Sequence, residues 1–280
     1  MAMQIMPRWL IDIPMGGLFL IAPFFLKKIK SICIKNLHIL YGSSKKHKEY
    51  RQLANKYLRL IGHSMMDLLY YLNCPKELSE IVHFENEDHL KKALLLDRGV
   101  IVVTAHLSNF PLMFVSLVQK GYKVNVIIRK MRDADFSKFM YQQCHKWNIN
   151  MIETSPKKEF LRGSLKALKR NELLFILLDE VVPQEGGVEV RFFNSNVSRA
   201  AGPMLFLERT GSPILPMFIA QEDNNGFRIF IEKPFEIYTG GTKEENTIKN
   251  IAGLTNIIED FVRRYPLQWG GWLNKRWAYR

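Results

Sequence analysis

Short apolar runs alternate with helix-length segments through the central part of the chain. The runs are Val100–Ala105, Val124–Ile128, Leu173–Leu178 and Ile214–Ile219, and the segments between them lie at about 111–120, 134–147, 157–170 and 201–210. Strands buried on both faces are apolar throughout, and their alternation with helices is typical of a parallel sheet covered by helices. The pattern therefore predicts a single-domain α/β fold with a largely parallel or mixed sheet flanked by helices.

Further elements are predicted on either side of this alternation. Apolar residues in Lys48–Leu72 recur at steps of three and four, which is the spacing of an amphipathic helix. Helices are also predicted over Asn86–Asp97 and about Lys243–Arg264. Two more runs, Val188–Phe193 and Phe227–Glu232, follow shorter connections and are expected to be antiparallel or mixed strands.

An uncharged apolar stretch, Ile13–Leu26, precedes the predicted domain. It is shorter than the roughly 20 residues that a straight membrane-spanning helix needs. Lysines follow the stretch instead of preceding it, and no small-residue cleavage site comes after it, which argues against a secretion signal. An interfacial anchor or tilted span is favoured over a buried core helix. We therefore expect residues 1–30 to anchor the chain to a membrane and residues 31–280 to form the α/β domain.

The charge balance points to an anionic partner. The chain has 40 Lys and Arg against 27 Asp and Glu, a formal net charge of +13, and such an excess favours nucleic acid or an anionic membrane surface. Basic residues are concentrated between Lys27 and Arg51, directly after the apolar stretch, with Glu49 as the only acid. This position favours anionic membrane lipids, with the domain on the cytoplasmic side, and no nucleic-acid recognition motif accompanies the charge.

Cysteine and glycine patterns exclude several classes of site. The three cysteines have no paired spacing, which indicates reduced thiols in a cytoplasmic setting. The pair Cys144-His145 lacks further ligands nearby, so no metal is expected. No Gly-x-Ser-x-Gly is present, which excludes a nucleophile elbow, and Glu185–Gly187 and Gly240-Gly241 lack the lysine and spacing of a phosphate-binding loop.

Polar residues stand at the ends of three predicted strands. His106 ends the first, Arg129 ends the second, and Asp179-Glu180 ends the run that begins at Leu173. Because the ends of parallel strands share one edge of a sheet, we expect a base, a cation and carboxylates to converge there. Ser108 and Asn109 follow the histidine and are placed to cap a helix whose first turn admits proline.

These residues belong to an ordered set of motifs that resembles the lysophospholipid acyltransferase superfamily, and most closely the bacterial lipid A lauroyl/myristoyl acyltransferases. The block His106-Leu-Ser-Asn-Phe-Pro111 is similar to that family's His-x-x-Asn-aromatic-acid motif. The other matching elements are Arg129, Leu178–Glu180, Gly187–Phe193, Ala201–Pro216, Pro266–Trp269, Trp272 and Arg276-Trp277. The resemblance covers roughly residues 10–280.

The resemblance implies transfer of a fatty acyl group from a thioester to a hydroxyl of a lipid A precursor, or of another lysolipid or glycolipid, at the bacterial inner membrane. The implied donor is acyl carrier protein or coenzyme A, with no other cofactor. His106 is the implied general base, because a neutral imidazole can take the hydroxyl proton as the oxygen attacks the thioester. Asp179 and Glu180 are expected to shape the acceptor site.

Four further residues are expected to bind substrate. Arg129 is the candidate for holding an anionic headgroup or phosphate, and Asn109 belongs to the same motif as the histidine. Phe192 and Phe193 are candidates for the lining of an acyl channel, although paired aromatic residues are more often part of a core.

The sequence departs from the family at one position. The family has Asp or Glu five residues after the histidine, where this chain has Pro111. Such a carboxylate fixes the tautomer of the imidazole and stabilises the imidazolium, and proline does neither. Either another acid serves His106, with Asp179, Glu180 and Glu153 as candidates, or the chain is a catalytically impaired lipid-binding relative. An active enzyme is favoured because the other motifs are present.

Overall fold

A computed structural model describes residues 26–42, 44–129, 133–183, 187–223 and 226–274, except for the Phe136 side chain. The helices are α1 Lys27–Tyr41, α2 His47–Tyr71, α3 Pro75–Ile81, α4 Glu87–Leu94, α5 Phe110–Gln119, α6 Ala134–Lys146, α7 Lys157–Lys169, α8 Gly202–Thr210 and α9 Lys243–Arg264. The strands are β1 Val82–Glu85, β2 Val100–Thr104, β3 Val124–Ile128, β4 Asn150–Glu153, β5 Leu173–Leu177, β6 Gly187–Phe192, β7 Ser195–Ala200, β8 Ile214–Gln221 and β9 Phe227–Ile231. Two 3-10 turns, Pro266–Gln268 and Gly270–Leu273, end the described part.

Seven strands form one mixed sheet in the order β1-β9-β8-β2-β5-β3-β4. The pairs from β8 through β4 are parallel, β9 is antiparallel to β8, and β1 is parallel to β9. Strands β6 and β7 form a separate antiparallel hairpin. The predicted mixed α/β architecture is therefore confirmed.

The central strand β2 is buried along its whole length. Its side chains alternate between two cores: Ile101 and Val103 pack with α1, the first half of α2, α7, α8 and α9, whereas Val100 and Val102 pack with the end of α2 and α3 to α6. This alternation is the two-residue period of a strand with both faces covered. The carboxyl end of β2 consequently belongs to a strand that is packed on both faces.

The sequence patterns did not predict helix α1, which lies in the basic region after the apolar stretch. Cys33, Asn36 and Leu37 are its buried residues, and the Asn36 side chain donates to the main-chain oxygen of Trp272 at 2.8 Å. The helix is therefore held against the C-terminal 3-10 turn. Of the expected anchor Ile13–Leu26, only Leu26 lies among the described residues, and over those residues we find no helix long and apolar enough to cross a bilayer.

The short elements β1, β4, β7 and α3 were also missed by the sequence patterns. Strand β4 is an edge strand of four residues with only Ile152 buried, so it has no continuous apolar run. Strand β7 reads Ser-Asn-Val-Ser-Arg-Ala and is extended because it pairs with β6. Pairing partners, which the local sequence does not reveal, determine these elements.

Gly99, which precedes β2, allows a close approach to the end of α7. Its φ is +67°, and a Cβ there would lie 2.6 Å from the main-chain oxygen of Leu168. We expect Gly99→Ala to lower the free energy of unfolding by at least about 2 kcal/mol, because the left-handed backbone and the clash act together. Urea unfolding measures the change.

Gly121→Ala is the matched control. Gly121 follows the end of α5 with a φ of +91°, and nothing lies within 4 Å of the position that a Cβ would take, so only the backbone strain of about 1 kcal/mol is expected. Equal losses for the two variants would contradict the role of the close approach at Gly99.

Candidate active site

The His106 and Asp179 side chains meet at the carboxyl ends of β2 and β5. Thr104 and Leu177 are partners in the parallel register of these strands, so the residues two positions further along also face each other. His106 Nδ1 lies 2.9 Å from Asp179 Oδ1, and the His106 main-chain N–H donates to Oδ2 at 3.0 Å. The expected convergence at this edge is observed for the His106 imidazole and the Asp179 carboxylate.

A tryptophan from the C-terminal segment completes the environment of this carboxylate. The Trp269 indole Nε1 donates to Asp179 Oδ2 at 2.8 Å. The segment is fastened to the loop after β2, since the Gly270 N–H donates to the His106 main-chain oxygen at 2.7 Å and the Ser108 N–H donates to that of Gln268 at 2.6 Å. Three N–H groups thus converge on one carboxylate, an arrangement that stabilises its ionised form.

The protonation equilibria of the pair follow from these contacts. Burial lowers the pKa of His106, but the charge of Asp179 and its hydrogen bond outweigh this, so the pKa lies above the ordinary 6.5. Burial raises the pKa of Asp179, but the imidazole and the N–H donors hold it below the ordinary 3.8. Asp179 is therefore a carboxylate at neutral pH, and His106 Nδ1–H donates to it.

The His106 imidazole lines a cleft of about 280 Å³. The His106 side chain is 33% exposed, whereas the Asp179 side chain is 3% exposed. The cleft is lined by Ile61, His106, Ser108, Phe110, Asp179, Glu180, Gly270, Gly271 and Asn274. With Nδ1 engaged, Nε2 is the ring nitrogen left for a ligand in this cleft.

Arg129 and Glu180 form an ion pair at the same edge of the sheet. Arg129 Nε lies 3.1 Å from Glu180 Oε2, and the two side chains are 42% and 40% exposed. Glu153 instead accepts a hydrogen bond from the Tyr141 hydroxyl. Of the three acids that the sequence offered as partners of His106, the structure thus brings Asp179 to the ring. Among the described residues, no three His, Cys, Asp or Glu side chains cluster as a metal site requires.

Asn109 occupies the N-cap position of α5, but its side chain does not cap the helix. It is 3% exposed, and Nδ2 donates to the Ser64 main-chain oxygen at 2.8 Å, which ties α5 to α2. The expected side-chain cap is therefore wrong, because the amide finds its partner on a neighbouring helix. Pro111 lies in the first turn of α5, as the sequence predicts.

Phe192 and Phe193 lie in the core and not among the residues that line the cleft. They are 0% and 4% exposed, and both pack against the Trp269 ring, at centroid distances of 5.6 and 6.3 Å. The aromatic pair thus supports the tryptophan that holds Asp179. The two phenylalanines therefore occupy the core, which is the more common position of paired aromatic residues.

Two residues of the site were not singled out from the sequence. Trp269 lies in a C-terminal motif that carries the family resemblance, but the motif gives no indication that its indole reaches Asp179. Arg199, on β7, is fully buried and donates from Nη1 to the Asp179 main-chain oxygen. Arginine is rarely buried completely. The sequence of β7 gives no indication that Arg199 is buried, and only the structure shows it.

Removal of the carboxylate charge is expected to lower the pKa of His106. Because burial depresses the pKa and Asp179 counteracts it, Asp179→Asn should move the pKa from above 6.5 to below it. An NMR titration of the imidazole measures this. Glu180→Gln is the control and should cause a smaller decrease, since its charge contributes less. An unchanged pKa in Asp179→Asn would contradict the pairing.

Comparison with known proteins shows the family to which the chain belongs. A sequence profile of the family described as bacterial lipid A biosynthesis acyltransferase matches residues 1–278. Lipid A biosynthesis palmitoleoyltransferase of Escherichia coli (strain K12) is 24% identical over 268 residues, which cover 91% of this chain and 81% of that protein. Lipid A biosynthesis acyltransferase of Shigella flexneri shows the same identity and coverage. Since the family profile spans nearly the whole chain, this protein belongs to the bacterial lipid A biosynthesis acyltransferases and is an acyltransferase.

Proposed function

We propose that this acyltransferase moves a fatty acyl group from a thioester donor, acyl carrier protein or coenzyme A, to a hydroxyl of a lipid A precursor. Family membership supports the acceptor class. The observation that carries the mechanism is the His106 imidazole, partly exposed in the cleft and bound through Nδ1 to a buried carboxylate. No other cofactor is part of the proposal.

In the proposed reaction, His106 Nε2 accepts the proton of the acceptor hydroxyl while its oxygen attacks the thioester carbonyl carbon. The negative charge of Asp179 stabilises the imidazolium that forms, and its hydrogen bond keeps the ring in the correct tautomer. Collapse of the tetrahedral intermediate forms the ester and breaks the carbon–sulfur bond. The imidazolium then returns the proton to the leaving thiolate.

Asp179 takes the place of the acid that is missing at Pro111. Its carboxylate reaches the same imidazole from β5, so the proline does not leave the ring without a partner. This contact favours an active enzyme over the alternative of a catalytically impaired lipid-binding relative. The test is an assay of the purified chain, and product formation above background would exclude that alternative.

Arg129 is the proposed contact for a phosphate or another anionic group of the acceptor. It stands at the end of β3, and its partner Glu180 lines the cleft. In this proposal, an incoming phosphate competes with Glu180 for the guanidinium, which matches a tetrahedral oxyanion well. Glu180 then shapes the acceptor site by setting the position of Arg129.

A membrane contact is proposed for the surface made by α1 and the middle of α2. Leu26 and Ile29 are exposed among the lysines of α1, and Met65 is 63% exposed one helical turn beyond Ile61, which lines the cleft. Apolar residues between lysines suit an anionic bilayer surface. We propose that residues 1–30 anchor the chain at the cytoplasmic face of the inner membrane, so that the lipid acceptor enters the cleft from the bilayer.

His106→Ala is expected to lower turnover by about 100- to 10,000-fold, because it removes the general base. The assay follows transfer from acyl carrier protein or coenzyme A to a lipid A precursor. Folding and vesicle binding should remain. His83→Ala, at an exposed position on β1, is the matched control and should keep full activity. Substantial turnover by His106→Ala would remove the base from the mechanism.

Arg129→Ala is expected to raise KM for a phosphorylated acceptor by about 10- to 100-fold, the value of a charged hydrogen bond, with a smaller change in kcat. Steady-state kinetics with phosphorylated and dephosphorylated acceptors measure the difference. For the dephosphorylated acceptor, the variant and the unmodified enzyme should have similar KM. An equal loss with both acceptors would exclude the phosphate contact.

A further inference from the structure

Arg199 is a buried cation next to the catalytic pair. Among the lysines and arginines that the structure describes, it is the one with no exposed surface. Its Nη1 donates to the main-chain oxygen of Asp179, and its guanidinium carbon lies 4.4 Å from the centroid of the Phe192 ring. The side chain thus reaches from the β6–β7 hairpin to the end of β5.

Burial of a guanidinium is unfavourable unless an opposite charge or strong hydrogen bonds compensate for it. Burial lowers the pKa of Arg199 to about 10, and the nearby charge of Asp179 raises it. The group therefore remains a cation at neutral pH. Asp179 is buried as well, and its carboxylate oxygens are bound by the His106 and Trp269 N–H groups.

We propose that Arg199 is a positioning residue for acyl transfer, which fixes the main chain of Asp179 and places a positive charge beside the buried His106–Asp179 pair. This inference rests on the proposed role of His106 as the base. Phe192 serves the same purpose, because its ring face holds the guanidinium in place through a cation–π contact.

The consequence for the reaction concerns the proton affinity of the pair. Among the described residues, the charged groups near the pair include Arg199 from β7, Arg129 at the end of β3 and Glu180 beside Asp179. Loss of the positive charge of Arg199 makes the pair bind a proton more tightly. His106 would then stay protonated to a higher pH and would be unable to accept the hydroxyl proton.

The test is the pH dependence of kcat/KM for the full chain, with a lipid A precursor as acceptor. Arg199→Met replaces the cation by a shorter, unbranched apolar side chain. It should move the acidic limb of the profile upward by about one pH unit, the effect of one charge several ångströms away. Arg199→Lys retains the charge and should leave the limb near its original position. A limb that stays in place in Arg199→Met would overturn the proposal.

Arg191→Met is the matched control on the same hairpin. Arg191 is exposed on β6, so the substitution should move neither the limb nor the activity. A shift as large as that of Arg199→Met would show a general charge effect and would also overturn the proposal.

A second comparison applies if Arg199→Met does not fold. The double variant Asp179→Asn with Arg199→Met removes both buried charges together and is compared with Asp179→Asn alone. If Arg199 acts through the charge of Asp179, the two should have equal residual activity. The unfolding midpoint of the double variant should not be lower than that of Asp179→Asn, because the buried guanidinium that lost its opposite charge is removed as well. A further large loss in the double variant would show an independent structural role and contradict the inference.

Failure of the proposed function gives a different result. If His106→Ala retains turnover, the base is wrong whatever Arg199 does. If His106→Ala is inactive and the limb stays in place in Arg199→Met, the base stands and the role of Arg199 is wrong.

Discussion

A single buried carboxylate holds the site together. The Asp179 carboxylate accepts hydrogen bonds from the main chain and the imidazole of His106 and from the Trp269 indole. The main-chain oxygen of Asp179 accepts a hydrogen bond from Arg199. These contacts join the ends of two strands, the C-terminal segment and the β6–β7 hairpin. A buried charge that is bound from several sides restricts all of its partners, because each lost contact leaves part of it uncompensated.

The sheet makes this convergence possible. The parallel register of β2 and β5 places Asp179 opposite His106, although the two are 73 residues apart in the chain. The β2 core residues on both faces fix the strand end, so the imidazole is presented from a rigid element, and the cleft remains open on one side of the ring. Placement at the end of a packed strand suits the acid–base role proposed for His106.

Pro111 stands where the family resemblance places an acid, and the carboxylate that contacts His106 comes from another part of the chain. Pro111 suits the first turn of α5, where no intrahelical bond is lost, and the Asn109 amide ties that turn to α2. The carboxylate comes from the neighbouring strand instead of from the same helix. The imidazole is thereby supported across the sheet edge, and its environment depends on tertiary packing more than on local sequence.

The sequence by itself determined the α/β architecture and the sheet edge where the candidate site lies, whereas only the tertiary structure decided which acid contacts the histidine. Buried parallel strands need continuous apolar runs, and these runs mark where His106, Arg129 and Asp179 stand. The boundaries of β3 and α9 follow from the same periodicity, but helix α1 and strands β4 and β7 depend on contacts with distant segments. Asp179, Glu180 and Glu153 are equivalent in a linear sequence, and the strand register together with the direction of each side chain separates them. The roles of Trp269 and Arg199 likewise arise from contacts 90 and 20 residues away along the chain. Hydrogen bonds and charge pairing act over a few ångströms in space, so their partners are set by the packed fold and not by local pattern.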